Sequence, residues 1–244
     1  MQCATIGQEY GGLGLPASTY AKIIMRISAA WMALSGIFNS HLMMAAAVER
    51  FGTEAQKAHS LPDEFVRSNQ PWPHQLRAWK RRGIRTVVNL RGGFDASFHA
   101  LEKDACAALG MTLVNFTLTS RDAPDRDQLH AAKTLFETIE YPILIHCKSG
   151  ADRASLFSAL YVHFHLGGDI PTALRQLDIR YLHLKRGRTG ILDYVFELYL
   201  AEGAPTGLTF SEWIDTPVYD PARIKAAYRA RTKRSVLADL VPRE

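Results

Sequence analysis

Apolar positions fall into two regimes along the chain, and the change comes near residue 60. Before it, Ala, Met, Ile and Leu gather in two stretches, residues 17–36 and 39–51, without β-branched alternation, so both are predicted helices. Gly52 and Thr53 then read as a helix end and a new helix start. From about residue 63, short apolar runs alternate with longer amphipathic ones. Residues 86–90 (Thr86-Val87-Val88-Asn89-Leu90) form a β-branched run closed by Arg91-Gly92-Gly93, a strand and a turn. A helix over 98–109 ends at Gly110, and a strand over 112–118 follows. Leu129, Ala132, Leu135 and Ile139 recur at helical spacing within 127–140, and Pro142 stops that helix. Residues 143–145 (Ile143-Leu144-Ile145) are apolar on both faces, as in a buried parallel strand. Helices are predicted over 153–166, 171–180 and 190–202. The expected fold is α/β and three-layered, with a central, mainly parallel sheet flanked by helices and a helical N-terminal appendage. The expected domains are the appendage (1–62), the α/β domain (63–205) and a C-terminal extension carrying a basic helix (206–244).

Composition narrows the function classes. The 244 residues are 47% hydrophobic and 22% charged, which excludes a disordered chain. A formal net charge of +5 fits an anionic substrate, and also weak nucleic-acid or membrane-surface contact, so it does not choose among them. Cys3, Cys106 and Cys147 are too far apart for a zinc pattern or a disulfide framework, so a reducing cytoplasm and a metal-free site are expected. The N-terminus has no basic segment ahead of an apolar run, so no secretory signal is expected. Residues 27–47 are apolar enough to consider as a membrane span. The Asn39-Ser40-His41 cluster interrupts them and Arg26 and Glu49 bound them, so a buried globular helix is the better reading.

The chemistry gathers after the apolar strand, in His146-Cys147-Lys148-Ser149-Gly150-Ala151-Asp152-Arg153, with a helix behind it. A tight loop between a buried strand and a helix start turns successive backbone N–H groups inward, and the helix dipole adds positive potential. Gly150 allows the turn. Arg153 offers a planar fork to two phosphoryl oxygens. Cys147 at the base of such a cradle is favoured as thiolate, and can form a phosphocysteine intermediate that splits hydrolysis into two steps.

This segment resembles the His-Cys-x5-Arg signature of the cysteine-based protein tyrosine and dual-specificity phosphatases. Residues 83–91, from Gly83 to Arg91, also resemble the compact bacterial and fungal members, and the likeness runs over about residues 63–202. It implies a phosphoric monoester hydrolase with Cys147 as nucleophile, Arg153 as phosphate clamp and residues 146–153 as the phosphate-binding loop. It implies no cofactor. Ala154 stands where this family usually has Ser or Thr, whose hydroxyl eases departure of the thiolate; Ser155 comes one step later. The family's general acid is an Asp on a separate loop, which points to Thr119–Asp127: Asp122 first, Asp125 as the alternative, with Asp125 equally placed to cap the next helix. Asp152, inside the signature, is a third candidate or a structural residue. Lys148 adds positive charge at the mouth, which would suit inositol phosphates or other polyanions.

Residues 9–62 resemble a second family. Glu9-Tyr10-Gly11-Gly12-Leu13-Gly14-Leu15, Asn39-Ser40-His41 and Phe51-Gly52-Thr53-Glu54-Ala55-Gln56-Lys57 are similar to part of the N-terminal helical domain of acyl-CoA dehydrogenases. The flavin-cradling and glutamate-bearing domains of that family have no counterpart here, so no flavin role is expected for any residue. The apolar helices are expected to pack on the rest of the chain or to self-associate. The expected partner is a phosphorylated protein or a small phosphorylated molecule, with no nucleic acid and no stable membrane insertion. The alternative to a working enzyme is a phosphate-binding module with slow turnover.

Overall fold

A computed structural model describes residues 64–185 and 187–240, and the side chains of these up to residue 232. The two predicted N-terminal helices and the apolar stretch 27–47 lie outside the described residues. Among the described residues no helix is long and apolar enough to cross a membrane.

Four strands and four helices build the frame that carries the signature. In chain order they are β1 (Phe65–Ser68), α1 (Pro73–Arg81), β2 (Thr86–Asn89), α2 (Ser97–Ala108), β3 (Thr112–Asn115), α3 (Arg126–Thr138), β4 (Ile143–His146) and α4 (Asp152–Phe164). The sheet order is β1-β4-β2-β3, and every neighbouring pair is parallel. β2 and β4 are buried along their whole length, as central strands covered on both faces must be.

Strand order and the handedness of crossovers together place the site. From β1 to β2 to β3 the chain advances across the sheet in one direction; from β3 to β4 it returns. Right-handed crossovers therefore put α1 and α2 on one face and α3 on the other. Contacts agree: α1 packs on α2, and α4 packs on α3. On the first face Leu76, Val87, Cys106 and Leu144 form a closed apolar cluster. Burying each of its large side chains is worth about 1.5–3 kcal/mol. On the second face Phe65, Phe136, Phe157 and Tyr161 pack ring against ring, with Phe65 and Tyr161 centroids 4.1 Å apart. The segments leaving β2 and β4 thus diverge to opposite faces. Between their carboxyl ends opens the crevice where parallel sheets bind ligands.

The remaining elements are α5 (Ile170–Leu174), α6 (Ile191–Leu198), α7 (Phe210–Asp215) and α8 (Pro221–Leu240), with 3-10 turns at Ile179–Tyr181, Arg188–Gly190 and Ala204–Thr206 and a π-helical turn at Tyr199–Gly203. The helix expected over 171–180 stops at Leu174. Asp178 accepts a hydrogen bond from the Arg180 N–H at 2.9 Å, and this local bond competes with continued helix. The strand expected over 112–118 ends at Asn115. Beyond it, Phe116 and Leu118 still bond the carbonyls of Asn89 and Leu90, but across an irregular stretch. The pattern of apolar residues did not single out β1, because Phe65-Val66-Arg67-Ser68 is a short edge strand with only two apolar residues.

Candidate active site

β4 delivers Cys147 to the crevice, and the thiol is 2% exposed. The loop beyond it is held from behind. Its carbonyls point back toward the end of β1: Lys148 O accepts from Gln70 N at 3.5 Å, and Gly150 O and Ala151 O accept from Arg67 Nη2 at 3.2 and 3.5 Å. In a planar trans peptide the carbonyl and the following N–H point in opposite directions. The N–H group of Ser149 is thereby turned away from Gln70, and those of Ala151 and Asp152 away from Arg67, which aims a row of donors inward as an oxyanion requires. Gly150 sits at φ +73°, and a Cβ there would lie 2.8 Å from Ser68 O and 2.9 Å from Asn69 N. Both the turn and the close approach to β1 need glycine.

Three arginines surround this loop, and sequence reasoning picked out one. Arg153, in the first turn of α4, donates from Nη1 to Arg91 O at 3.3 Å, so one arm of its fork is already oriented. Arg91 donates to Gln70 Oε1 at 2.9 Å and lies 3.7 Å over the Phe98 ring. Burial and the neighbouring Arg153 both lower its pKa, while Cys147 and Glu102 raise it. Arg67 is half-buried under the loop, donates to Ser155 Oγ at 2.7 Å and lies 4.1 Å from the Tyr181 ring centre. Burial lowers its pKa to about 10, with Tyr181 and Cys147 opposing, so it stays charged near neutrality. Arg67 and Arg91 come from strand ends remote in sequence, and no local spacing announces them.

His146 and Asp152 are the two structural anchors of the signature. His146 Nε2 lies 2.6 Å from Glu102 Oε1, with both side chains fully buried; the contact is short without the alignment of a good hydrogen bond. Gln70 Nε2 also donates to Glu102 Oε1, at 3.2 Å, which links this contact to Arg91. Asp152 Oδ1 meets His183 Nδ1 at 2.8 Å, and His183 Nε2 meets Asp193 Oδ2 at 2.7 Å. Lys148 and Ser149 are exposed at the loop mouth, and Ala151 and Ala154 are buried. Cys106 is a buried thiol pushed up to about 12 by burial and Glu102, which makes it inert.

His183 holds the start of α4 to α6. Burial pulls its pKa down, but hydrogen bonds and charge from Asp152 and Asp193 outweigh this and raise it from 6.5 to about 9. A raised folded-state pKa gives stabilisation that is complete below about 6.5 and is lost as pH rises through about 9. His183→Ala leaves Asp193 buried and unpaired, at an expected cost of about 3–5 kcal/mol. Urea unfolding of both proteins should show that gap at pH 6, and the gap should narrow toward pH 9.

The loop before α3 separates the two acid candidates. Asp125 caps α3: its Oδ1 accepts from Gln128 N at 2.7 Å, and Gln128 Oε1 accepts from Asp125 N at 3.2 Å. Asp122 is partly exposed and paired with Lys225 of α8.

Comparison with known proteins fits this geometry. Residues 41–183 match the family model described as DSP-PTPase phosphatase fused to NAD+ kinase, more than half of the chain. The chain belongs to this family. Residues 1–64 match the model of the acyl-CoA dehydrogenase N-terminal domain. Among solved structures, the phosphatase-family chain is similar to Tk-PTP in its active form (19% identity, 55% of this chain and 90% of that one, TM-score 0.42). It is also similar to TpbA of P. aeruginosa (20% identity, 59% and 83%, TM-score 0.44) and to PTPMT1 (13% identity, 59% and 96%, TM-score 0.43). No curated protein matches.

Proposed function

We propose that the protein hydrolyses phosphoric monoesters through a phosphocysteine intermediate, with phosphorylated tyrosine or serine/threonine side chains as the first substrate class to assay. The observation that carries this reading is the loop itself: Cys147 at the end of a central strand, and backbone carbonyls drawn back by Arg67 and Gln70 so that the opposing N–H groups face forward. Bound phosphate would meet these N–H groups and the fork of Arg153. Cys147 Sγ would form a bond to phosphorus as the bond to the ester oxygen breaks. Water would then cleave the thiophosphate and release inorganic phosphate and free cysteine.

The leaving oxygen needs a proton, and Asp122 is the proposed donor because capping occupies Asp125. Asp122→Asn should slow hydrolysis of an alkyl phosphate or phosphotyrosine by about 10²–10⁴-fold. Hydrolysis of p-nitrophenyl phosphate, whose leaving group needs little protonation, should slow far less. Equal slowing of both substrates would remove Asp122 from that role.

Slow breakdown of the intermediate is favoured by a specific arrangement. Ala154 has no hydroxyl to donate to the departing thiolate, and the Ser155 Oγ, the nearest substitute in sequence, lies against Arg67 Nη2 at 2.7 Å. Phosphoenzyme should therefore accumulate. Stopped-flow release of p-nitrophenol should show a burst close to one equivalent per enzyme, followed by a slower steady rate. A linear trace from the first turnover would show that breakdown does not limit the reaction.

A further inference from the structure

A second basic site lies outside the phosphate-binding loop. The loop before α3, the 3-10 turn at Arg188–Gly190 and helix α8 border an open-sided cavity of about 710 Å³. Arg121, Arg188, Lys225 and Arg229 line it with a single carboxylate, Asp122, and with the Tyr228 ring. α8 supplies Lys225, Tyr228, Arg229 and Thr232, the i, i+3, i+4, i+7 positions of one helix face.

The pairing of the surrounding basic residues is selective. Next to the cavity, Lys185 and Arg231 share one carboxylate, Glu197, at 2.6 and 2.7 Å, and Arg223 pairs with Glu202 at 3.2 Å. Inside it, Lys225 is paired with Asp122, while Arg121, Arg188 and Arg229 have no ion-pair partner among the described residues. Four cations against one carboxylate leave an excess of three positive charges around a cleft open to solvent. Tyr228 Oη donates to Gly187 O at 2.6 Å, which ties α8 to the turn that carries Arg188.

We propose that this cavity binds a small molecule carrying two or more phosphate groups, separately from the phosphoryl group held at Cys147. The volume lies in the range of small-molecule sites, about 300–1,000 Å³, and exceeds what one inorganic phosphate fills. Guanidinium groups are the side chains best shaped for phosphate oxygens. The bound anion would share Lys225 with Asp122, so occupancy bears on the residue proposed as proton donor.

Isothermal titration of the full chain with inorganic tripolyphosphate at low ionic strength tests the proposal. The double variant Arg188→Ala/Arg229→Ala alters two exposed side chains and should weaken binding at least about tenfold, since each lost charge-assisted contact is worth about that much. Arg153→Ala, which disables the phosphate-binding loop, should leave this binding in place. Turnover of p-nitrophenyl phosphate should be unchanged in the double variant. Binding is read without turnover, so loss of the hydrolase reading would not remove this result. Undiminished affinity in the double variant, or loss of all binding in Arg153→Ala, would overturn the proposal. Equal affinity for a glutamate-rich peptide would also overturn it, by showing a general basic surface. If the double variant unfolds, Arg188→Lys/Arg229→Lys must bind more weakly than the parent, because a point charge replaces a fork; equal binding would count against the site.

Discussion

Replacing Cys147 by Ser should abolish phosphate-ester hydrolysis, by roughly 10⁴–10⁶-fold for loss of a covalent nucleophile. The change removes one polarisable atom and leaves the cradle intact. Arg67 would still bond the carbonyls of Gly150 and Ala151, and Arg153 would still be oriented by Arg91 O. The variant should therefore bind a phosphorylated peptide about as tightly as the parent, which separates lost chemistry from lost binding. Retained turnover within about a hundredfold would remove Cys147 from the nucleophile's role.

Arg153→Lys should cost about 10²–10³ in kcat, the usual range for removing one preorganised oxyanion donor. One nitrogen of the guanidinium is committed to Arg91 O at 3.3 Å, and the rest of the fork is left for phosphoryl oxygens. An ammonium can meet either need but cannot hold both directions in a plane. The loss should fall mainly on kcat, because Arg67, Arg91 and the backbone donors still attract the ground-state phosphate. A loss below tenfold would show that Arg153 is a structural residue that braces the Arg91 turn.

The parts legible in the sequence were those whose logic is local. The apolar run at 143–145, the eight-residue signature and the helix behind it lie within 24 consecutive positions, and their spacing alone reports strand, loop and helix start. The alternation of strands and helices gave the layered, parallel sheet for the same reason. What holds the loop in shape is not local. Arg67 reaches Gly150 across 83 residues, Arg153 reaches Arg91 across 62, and His183 reaches Asp152 across 31. Each is a single polar residue in an unremarkable stretch, and only the strand order brings it beneath or beside the signature. Asp125 shows the opposite limit. Its sequence context fits a helix cap and an acid equally well, and the reciprocal bonds with Gln128 show that it caps. The C-terminal extension reads in the sequence only as carrying a basic helix; the cavity that several of its residues line depends on a turn and a loop far away in the chain.

The covalent step is open to direct observation, because Ala154 brings no hydroxyl to the thiolate and Ser155 Oγ lies against Arg67, which should let phosphoenzyme build up. The full-length protein should be mixed with excess p-nitrophenyl phosphate, quenched in acid during turnover, digested and analysed by mass spectrometry. The account predicts one added phosphoryl group on the peptide that contains Cys147, located on that residue, and none in Cys147→Ser. Steady turnover with that peptide unmodified, or a phosphoryl group on any other side chain, would contradict it.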